Sequence, residues 1–309
     1  MKGGSPRNAS ASVRQRLLNK ARADKRPFNE LLQDYAMGRF LYRLSCSRQA
    51  GRFVLKGALM LRVWESPTPR TTMDIDLLGR TSNREVDLTA QVREILSTEV
   101  DPDGLAFDAD SLRLERIMED AVDEGLRLRL TGSLDTARIT LQIDIGFGDP
   151  VYPHPQEADF PGLLDFPVPR LLCYSRESTI AEKFEAMVKL GELNSRMKDF
   201  YDIWLLSRQF DFIRADLAEA IRLTFARRHT EVPETVAAFT AGFGVAKQRQ
   251  WMAFHRRLQQ HHVPTGFAEI IAGLDSFLAP IGPGLRSGHI APGAWNAPGP
   301  WRNPAVNGT

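Results

Sequence analysis

Thr71-Thr72-Met73-Asp74-Ile75-Asp76-Leu77-Leu78 places two carboxylates one residue apart inside a short apolar run. Side chains of a β-strand alternate faces, so this run, read as a strand, sets Asp74 and Asp76 on one side and Met73, Ile75 and Leu77 on the other. The apolar side can pack under helices. The other carries two negative charges about 6–7 Å apart along the strand. Like charges held that close repel, and a divalent cation between them is the commonest remedy. A solvated strand edge is the plainer alternative for an isolated Asp-x-Asp.

Upstream, Arg52-Phe53-Val54-Leu55 reads as a short strand that stops at Gly57, and Ala58 to Trp64 as a helix broken by Pro67 and Pro69. Residues 10–23 and 28–46 read as amphipathic helices, the second from Phe28, Leu31, Leu32, Tyr35, Ala36, Phe40 and Leu41 at helical spacing. Downstream, Asn83 to Thr98 reads as a further helix. Leu126-Arg127-Leu128-Arg129-Leu130 and Ala137 to Ile145 alternate as strands on either side of a turn at Thr131-Gly132-Ser133. Pro150 to Pro169 is a proline-rich connector, and Arg176 to about Leu278 reads as helices. Ile281 to Thr309, rich in Pro and Gly with isolated Trp295 and Trp301, reads as a flexible tail, pinned at most by those tryptophans. The expected organisation is N-terminal helices (1–50), a core with a small mixed sheet (51–175), a helical C-terminal lobe (176–280) and the tail (281–309). This is an α+β architecture.

Composition excludes several classes. With 40 Lys and Arg against 38 Asp and Glu, the net charge of +2 does not announce a nucleic-acid binder, so any such role rests on local patches. Cys46 and Cys173 stand far apart without ligand spacing, which points to a reducing compartment. The N-terminus from Met1 to Arg7 has no apolar core of a signal peptide, and no run of about 18 apolar residues occurs. A cytoplasmic protein with no membrane partner is the expectation.

Asp144 sits between Ile143 and Ile145 and is the third acid of interest. Three carboxylates on neighbouring strands make an oxygen-rich set suited to Mg²⁺, and such a set can support in-line phosphoryl or nucleotidyl displacement. Gly57 offers no Cβ, so its backbone can approach a triphosphate closely, helped by the N-terminus of the helix that follows. Arg70 and Arg62 lie near these residues; Arg70 reads as a phosphate contact and Arg62 as surface charge. The basic residues Arg14, Arg16, Lys20, Arg22, Lys25 and Arg26 read as a solvated helix face rather than an RNA contact. Arg227-Arg228-His229 reads as charge favouring a helix C-terminus.

Lys56-Gly57-Ala58-Leu59 followed by Thr72-Met73-Asp74-Ile75-Asp76-Leu77 resembles the nucleotidyltransferase AbiEii/AbiGii toxin family, which includes the MenT toxins and belongs to the DNA polymerase β-like nucleotidyltransferase superfamily. Ile180-Ala181-Glu182-Lys183 resembles the family's lysine-bearing helix, and Met197 to Trp204 its Arg-Asp-x-x-Asp segment with Lys198 in place of Arg. The likeness covers about residues 12–280. It implies a polymerase β-like nucleotidyltransferase lobe followed by the helical lobe. It also implies an enzyme that moves a nucleotide from an NTP to an acceptor hydroxyl.

The residue roles come from the resemblance. Asp74, Asp76 and Asp144 would hold Mg²⁺ or Mn²⁺, with Asp144 helping to activate the attacking hydroxyl. Lys183 would hold the nucleotide phosphates. Asp202, with Asp199 beside it, would be the acid of the last motif, and an antiparallel helix pair would bring it to Lys183. Gly57, Arg70 and Thr72 would grip the nucleotide; many relatives have Gly-Gly or Gly-Ser where this chain has Gly57-Ala58, and the missing hydroxyl would come from Thr71 or Thr72, Thr72 in preference because it shares a face with Asp74. The resemblance further implies a type IV toxin with an RNA acceptor, plausibly a tRNA 3′ end, a cognate antitoxin encoded nearby, and a role in growth arrest or phage defence. A nucleotidyltransferase acting on a protein or small molecule, or a silent nucleotide- or RNA-binding relative, are the competing readings.

Overall fold

The computed structural model describes residues 6–66, 70–118 and 124–303. Pro67 and Pro69, the expected helix breakers, lie outside the described residues. The chain divides into two units, Met1–Asp149 with Pro155–Tyr174, and Pro150–His154 with Ser175–Thr309.

The first unit opens with helices α1 (Pro6–Asp24) and α2 (Phe28–Cys46). Strand β1 (Phe53–Lys56) runs into a 3-10 turn at Gly57–Leu59 and a single α-turn, α3 (Met60–Val63). The carboxylate strand β2 (Asp74–Gly79), helix α4 (Glu85–Leu96), strands β3 (Leu105–Met118), β4 (Glu124–Leu134) and β5 (Ala137–Phe147), and the short strands β6 (Gln156–Asp159) and β7 (Arg170–Cys173) complete it. The mixed sheet has the order β3-β4-β5-β2-β1-β7-β6. β2 pairs parallel with β5, and β1 pairs parallel with β7; the remaining neighbours are antiparallel.

Alternation settles which face of the sheet is buried. Ile75 lies beside Ile143, which lies beside Leu128, and Leu77 beside Ile145, which lies beside Leu126. All six are at most 2% exposed. Each side chain stabilises the unit by roughly 2 kcal/mol through removal of apolar surface from water. α1 and α2 close one end of this core, where Val13, Leu17, Leu32, Tyr35 and Ala36 pack against Leu105, Leu134 and Ile139.

Three local expectations change. The β4–β5 turn falls at Asp135-Thr136, with Asp135 at φ 54°, and not at Thr131-Gly132-Ser133. Gly132 stays inside β4 opposite Ile139, and a Cβ there would meet the Phe107 ring at 3.1 Å, so this glycine serves close packing and not chain reversal. The connector from Pro150 to Pro169 contributes an edge strand, β6. The expected helix at 58–64 is a 3-10 turn followed by one α-turn, too short to build an appreciable dipole for an anion.

The second unit contains helices α5 (Arg176–Leu190), α6 (Met197–Gln209), α7 (Arg214–Arg227), α8 (Ala241–Leu258), α9 (Phe267–Leu278) and α10 (Gly282–Ser287). Short strands β8 (Phe212–Ile213), β9 (Ala294–Trp295) and β10 (Trp301–Arg302) form a three-stranded sheet in the order β10-β9-β8. The segment expected to be a flexible tail is thus folded as far as residue 303. The Trp295 indole donates to the Ser207 carbonyl at 2.6 Å and that of Trp301 to the Phe277 carbonyl at 2.8 Å. Phe277 stacks on Trp301, with ring centroids 5.8 Å apart and planes within 3°. Two indoles bury enough surface to order a stretch whose other residues favour disorder.

Candidate functional site

Register brings the acids together. Asp76 on β2 lies directly beside Asp144 on β5, Asp144 beside Arg127 on β4, and Asp76 beside Lys56 on β1. Directly paired residues project on the same face, so one row crosses four strands in the charge order Arg127, Asp144, Asp76, Lys56. Asp74, two residues before Asp76, projects on this face as well and lies beside Gln142. Carboxylate oxygens of Asp74, Asp76 and Asp144 come within 4.8 Å of one another.

Three anions that close repel by about 3 kcal/mol per pair at an effective dielectric near 20. The protein offsets part of this. Arg127 grips Asp144 with both arms, Nε to Oδ1 at 2.8 Å and Nη2 to Oδ2 at 2.7 Å. This forked pair raises the Arg127 pKa further above its ordinary value, chiefly through the hydrogen bond to Asp144. Lys56 is buried and reaches Asp149 at 3.2 Å. The Thr72 hydroxyl hydrogen-bonds the Asp74 carboxylate. From α2, Gln33 donates to the carbonyls of Met73 at 3.0 Å and Thr140 at 3.1 Å, tying the entry to β2 to the start of β5.

An all-oxygen set of three carboxylates fits a hard divalent cation such as Mg²⁺ or Mn²⁺. Asp74, Asp76 and Asp144 would hold it. Arg127 donates to both oxygens of Asp144, and its positive charge opposes a cation drawing on that carboxylate. Arg127→Gln therefore removes a positive charge from the row and leaves the anions uncompensated. The expected outcome is a thermal midpoint roughly 2–4 °C lower in chelator and a larger upward shift on adding Mg²⁺ than the wild type shows. Calorimetry with and without Mg²⁺ checks this, and equal Mg²⁺ shifts in the two proteins would refute it.

Gly57 has a reason that sequence alone did not supply. Its φ is +73°, and a Cβ there would lie 1.9 Å from Oδ2 of Asp76. The glycine makes room for the carboxylate itself. Arg70 is half-buried on the segment leading into β2. Arg62, read as surface charge, is instead largely buried: it hydrogen-bonds the Pro161 carbonyl at 3.2 Å, lies over the Phe160 ring at 4.7 Å and stands 3.8 Å from Asp34.

In the second unit, α5 and α6 join through a short 3-10 turn, and Lys183 meets both acids of the last motif. Its Nζ lies 2.8 Å from Asp199 Oδ1 and 2.8 Å from Asp202 Oδ2. Both carboxylates are nearly inaccessible, at 1% and 2% exposure, and Arg196 adds a second cation 2.8 Å from Asp199. Tyr201, between the two acids in sequence, donates its hydroxyl to the Gln260 side chain at 2.7 Å.

Other cations prove structural. Arg16 pairs with Asp165 at 3.1 Å, Lys20 with Asp24 at 3.1 Å and Arg26 with Asp34 at 2.8 Å, so much of the N-terminal basic charge is spent internally. Arg228, read as helix-end charge, is instead the buried partner of the fully buried Glu185, at 3.1 Å. Cys46 and Cys173 are free, and burial pushes the Cys173 thiol up to about 11, away from nucleophilic chemistry.

Arg127 is the residue that sequence reading missed as a participant. It stands in a strand whose alternation was read for structure only, and nothing local marks it as the partner of an acid 17 residues later. A hint was available: an arginine on the polar face of a strand, facing the polar face of the next.

No curated protein matches the chain. Among solved structures, a Helicobacter pylori protein described provisionally as a nucleotidyltransferase is 14% identical, with a TM-score of 0.46, over 83% of this chain and 96% of that one. JHP933 from Helicobacter pylori is also 14% identical, with a TM-score of 0.44, over 84% and 94% of the two chains. Among families, the one described as "Nucleotidyl transferase AbiEii toxin, Type IV TA system" matches residues 39–280, a span that takes in the carboxylate row and the Lys183 cluster. By that match the chain belongs to the AbiEii family of type IV toxin–antitoxin nucleotidyltransferases.

Proposed function

We propose that this nucleotidyltransferase is a Mg²⁺-dependent toxin that transfers a nucleotide from an NTP to an RNA hydroxyl, at the 3′ end of tRNA, and so blocks translation until a cognate antitoxin neutralises it. The observation that carries the reading is the convergence of Asp74, Asp76 and Asp144 on one face of β2 and β5. Structural needs alone do not favour three carboxylates within 4.8 Å.

The reaction needs few groups. The acceptor hydroxyl oxygen attacks the α-phosphorus of the NTP, the bond to the bridging oxygen breaks, pyrophosphate leaves, and the hydroxyl proton passes to a carboxylate base. Asp144 takes that base role in the resemblance. When bound, a divalent cation would neutralise charge that builds on the phosphoryl oxygens. Gly57 makes room for the Asp76 carboxylate, and Thr72 orients Asp74. Lys183, a compact ammonium already held by two buried carboxylates, is assigned to the phosphates by its motif, with Asp199 and Asp202 fixing its position.

The test is incubation of the purified protein with each labelled NTP, Mg²⁺ and total RNA. Label in a tRNA-sized band is expected; label on protein alone, or nowhere, would reject the RNA acceptor. Under the same conditions Lys183→Ala should lower kcat/KM for the NTP by about 10²-fold or more, as loss of a charge-assisted phosphate contact would. Wild-type kinetics in that variant would remove Lys183 from the reaction. Lys183→Ala leaves Asp199 and Asp202 partly uncompensated, so circular dichroism must first establish that it is folded.

A further inference from the structure

The formal charge of the whole chain is nearly balanced, but that of α8 is not. Residues 241–262 contain Lys247, Arg249, Arg256 and Arg257, together with His255, His261 and His262, and no Asp or Glu. The buried side of α8 is apolar and locked. Phe243 and Trp251 pack inward, the Trp251 indole donates to the Pro264 carbonyl at 3.0 Å, and Gln248 ties the helix to the Thr265 carbonyl at 2.9 Å. That anchoring fixes which side faces out. Arg249, Arg256 and Arg257 stand at i, i+7 and i+8, on one outward face, all three exposed. The row spans about 12 Å along the helix, and the exposed His261 and His262 follow just past its end.

Among the described residues these arginines form no ion pair, in contrast to Arg16 of α1 and to Arg39 and Arg43 of α2. Three exposed guanidinium groups with no carboxylate at ion-pair distance among the described residues repel one another, an arrangement that a polyanion relieves. The face is also placed usefully. Gln260, just beyond the C-terminal end of α8, accepts the hydrogen bond of Tyr201, the residue preceding Asp202 on α6. The basic row and the Lys183–Asp199–Asp202 cluster thus belong to the same unit, with the Tyr201–Gln260 hydrogen bond linking α6 to the end of α8.

We infer that the outward face of α8 is the surface on which this protein binds the sugar–phosphate backbone of its RNA acceptor. The inference rests on the RNA-acceptor reading above and adds where the RNA docks. RNA is favoured over an acidic protein partner because the face from Arg249 to His262 presents guanidinium, amide and imidazole groups, and the exposed large apolar residue of α8 is a valine, Val245, one turn before Arg249, rather than a cluster of aromatic or aliphatic anchors. Protein interfaces draw most of their affinity from such anchors, whereas backbone contacts to nucleic acid need only charge and hydrogen-bond donors.

The experiment measures binding of fluorescent deacylated bulk tRNA across a salt series, for wild type and for the triple variant Arg249→Gln/Arg256→Gln/Arg257→Gln. Three lost phosphate contacts should weaken binding at least tenfold at low salt and lower the slope of log K against log salt by about 2. The matching Arg→Lys triple variant should restore most of both, because lysine keeps the charge. Unchanged affinity and slope in the Gln variant, with wild type binding tRNA, would overturn the inference and leave the RNA reading intact. Absence of salt-dependent tRNA binding by wild type would overturn the RNA-acceptor reading, and this inference with it. Lost neutralisation by the antitoxin with tRNA binding intact would assign the face to the protein partner instead.

Discussion

Asp74→Asn should abolish incorporation of labelled nucleotide, by at least about 10³-fold, while leaving the protein as stable as the wild type or more so. The two effects have opposite signs for one reason. Asp74 is one of three carboxylates whose oxygens lie within 4.8 Å. Removing its charge relieves repulsion of about 3 kcal/mol per pair in the cation-free protein. Asparagine keeps the size of the side chain and an oxygen for the Thr72 hydroxyl, so packing at the entry to β2 is preserved. What the variant loses is one anionic ligand of the divalent cation, and several kcal/mol of transition-state stabilisation go with it. A structural aspartate behaves the other way: its loss costs stability and spares turnover. Thermal unfolding in chelator, run beside the incorporation assay, separates the two. A large fall in midpoint with activity retained would strip Asp74 of its proposed role.

The second large effect is expected from Gly57→Ala, a change of one methyl group. Part of the cost is conformational, because φ of +73° is a left-handed setting that an L side chain occupies at a cost of about 1–2 kcal/mol. The larger part is collision, since the new Cβ would lie 1.9 Å from Asp76 Oδ2 and 2.6 Å from its carboxyl carbon. Either β1 or the Asp76 side chain must move. A shift of about 1 Å in an acid that positions a reacting group costs on the order of 10²-fold in rate. The expected result is a stability loss of about 2–4 kcal/mol in urea titration, with activity reduced by at least that factor in the fraction that remains folded. A double-mutant cycle isolates the cause. In an Asp76→Gly background, Gly57→Ala should cost only the conformational part, because the colliding carboxylate is gone. Equal costs in the two backgrounds would show that Asp76 is not what requires glycine here.

Comparison of β2 with the 281–303 segment shows where local pattern is a good guide. Alternation works at β2 because one face is buried against Ile143, Ile145 and the leucines of β4, which fixes the parity of every residue on the strand. Asp74 and Asp76 are thereby forced to the same side whatever their neighbours are. Composition fails for 281–303 because disorder is inferred from an average. Trp295, buried, and Trp301, half-buried, act together on Phe277 and on each other, each adding one indole hydrogen bond. The turn misplaced at Thr131-Gly132-Ser133 has a similar cause, since glycine signals both chain reversal and close approach, and here Phe107 demands the second.

The sequence by itself determined the two-faced carboxylate strand, the third acid on a like strand and the α+β order of elements, each of which follows from periodicity or short-range spacing that the chain encodes locally. The Lys183 and Asp199–Asp202 segments on successive helices were legible only through the resemblance to the family. Tertiary structure alone decided that β2 runs parallel beside β5, with Asp76 next to Asp144, and that Arg127 clamps Asp144 from the other side. It decided too that Gly57 is there to admit the Asp76 carboxylate and that Arg249, Arg256 and Arg257 of α8 find no ion-pair partner among the described residues while Arg16 of α1 and Arg39 and Arg43 of α2 do. The physical reason is register: which residue lies beside which across neighbouring strands is set by the packing of the whole sheet against its helices, and no stretch of sequence contains it.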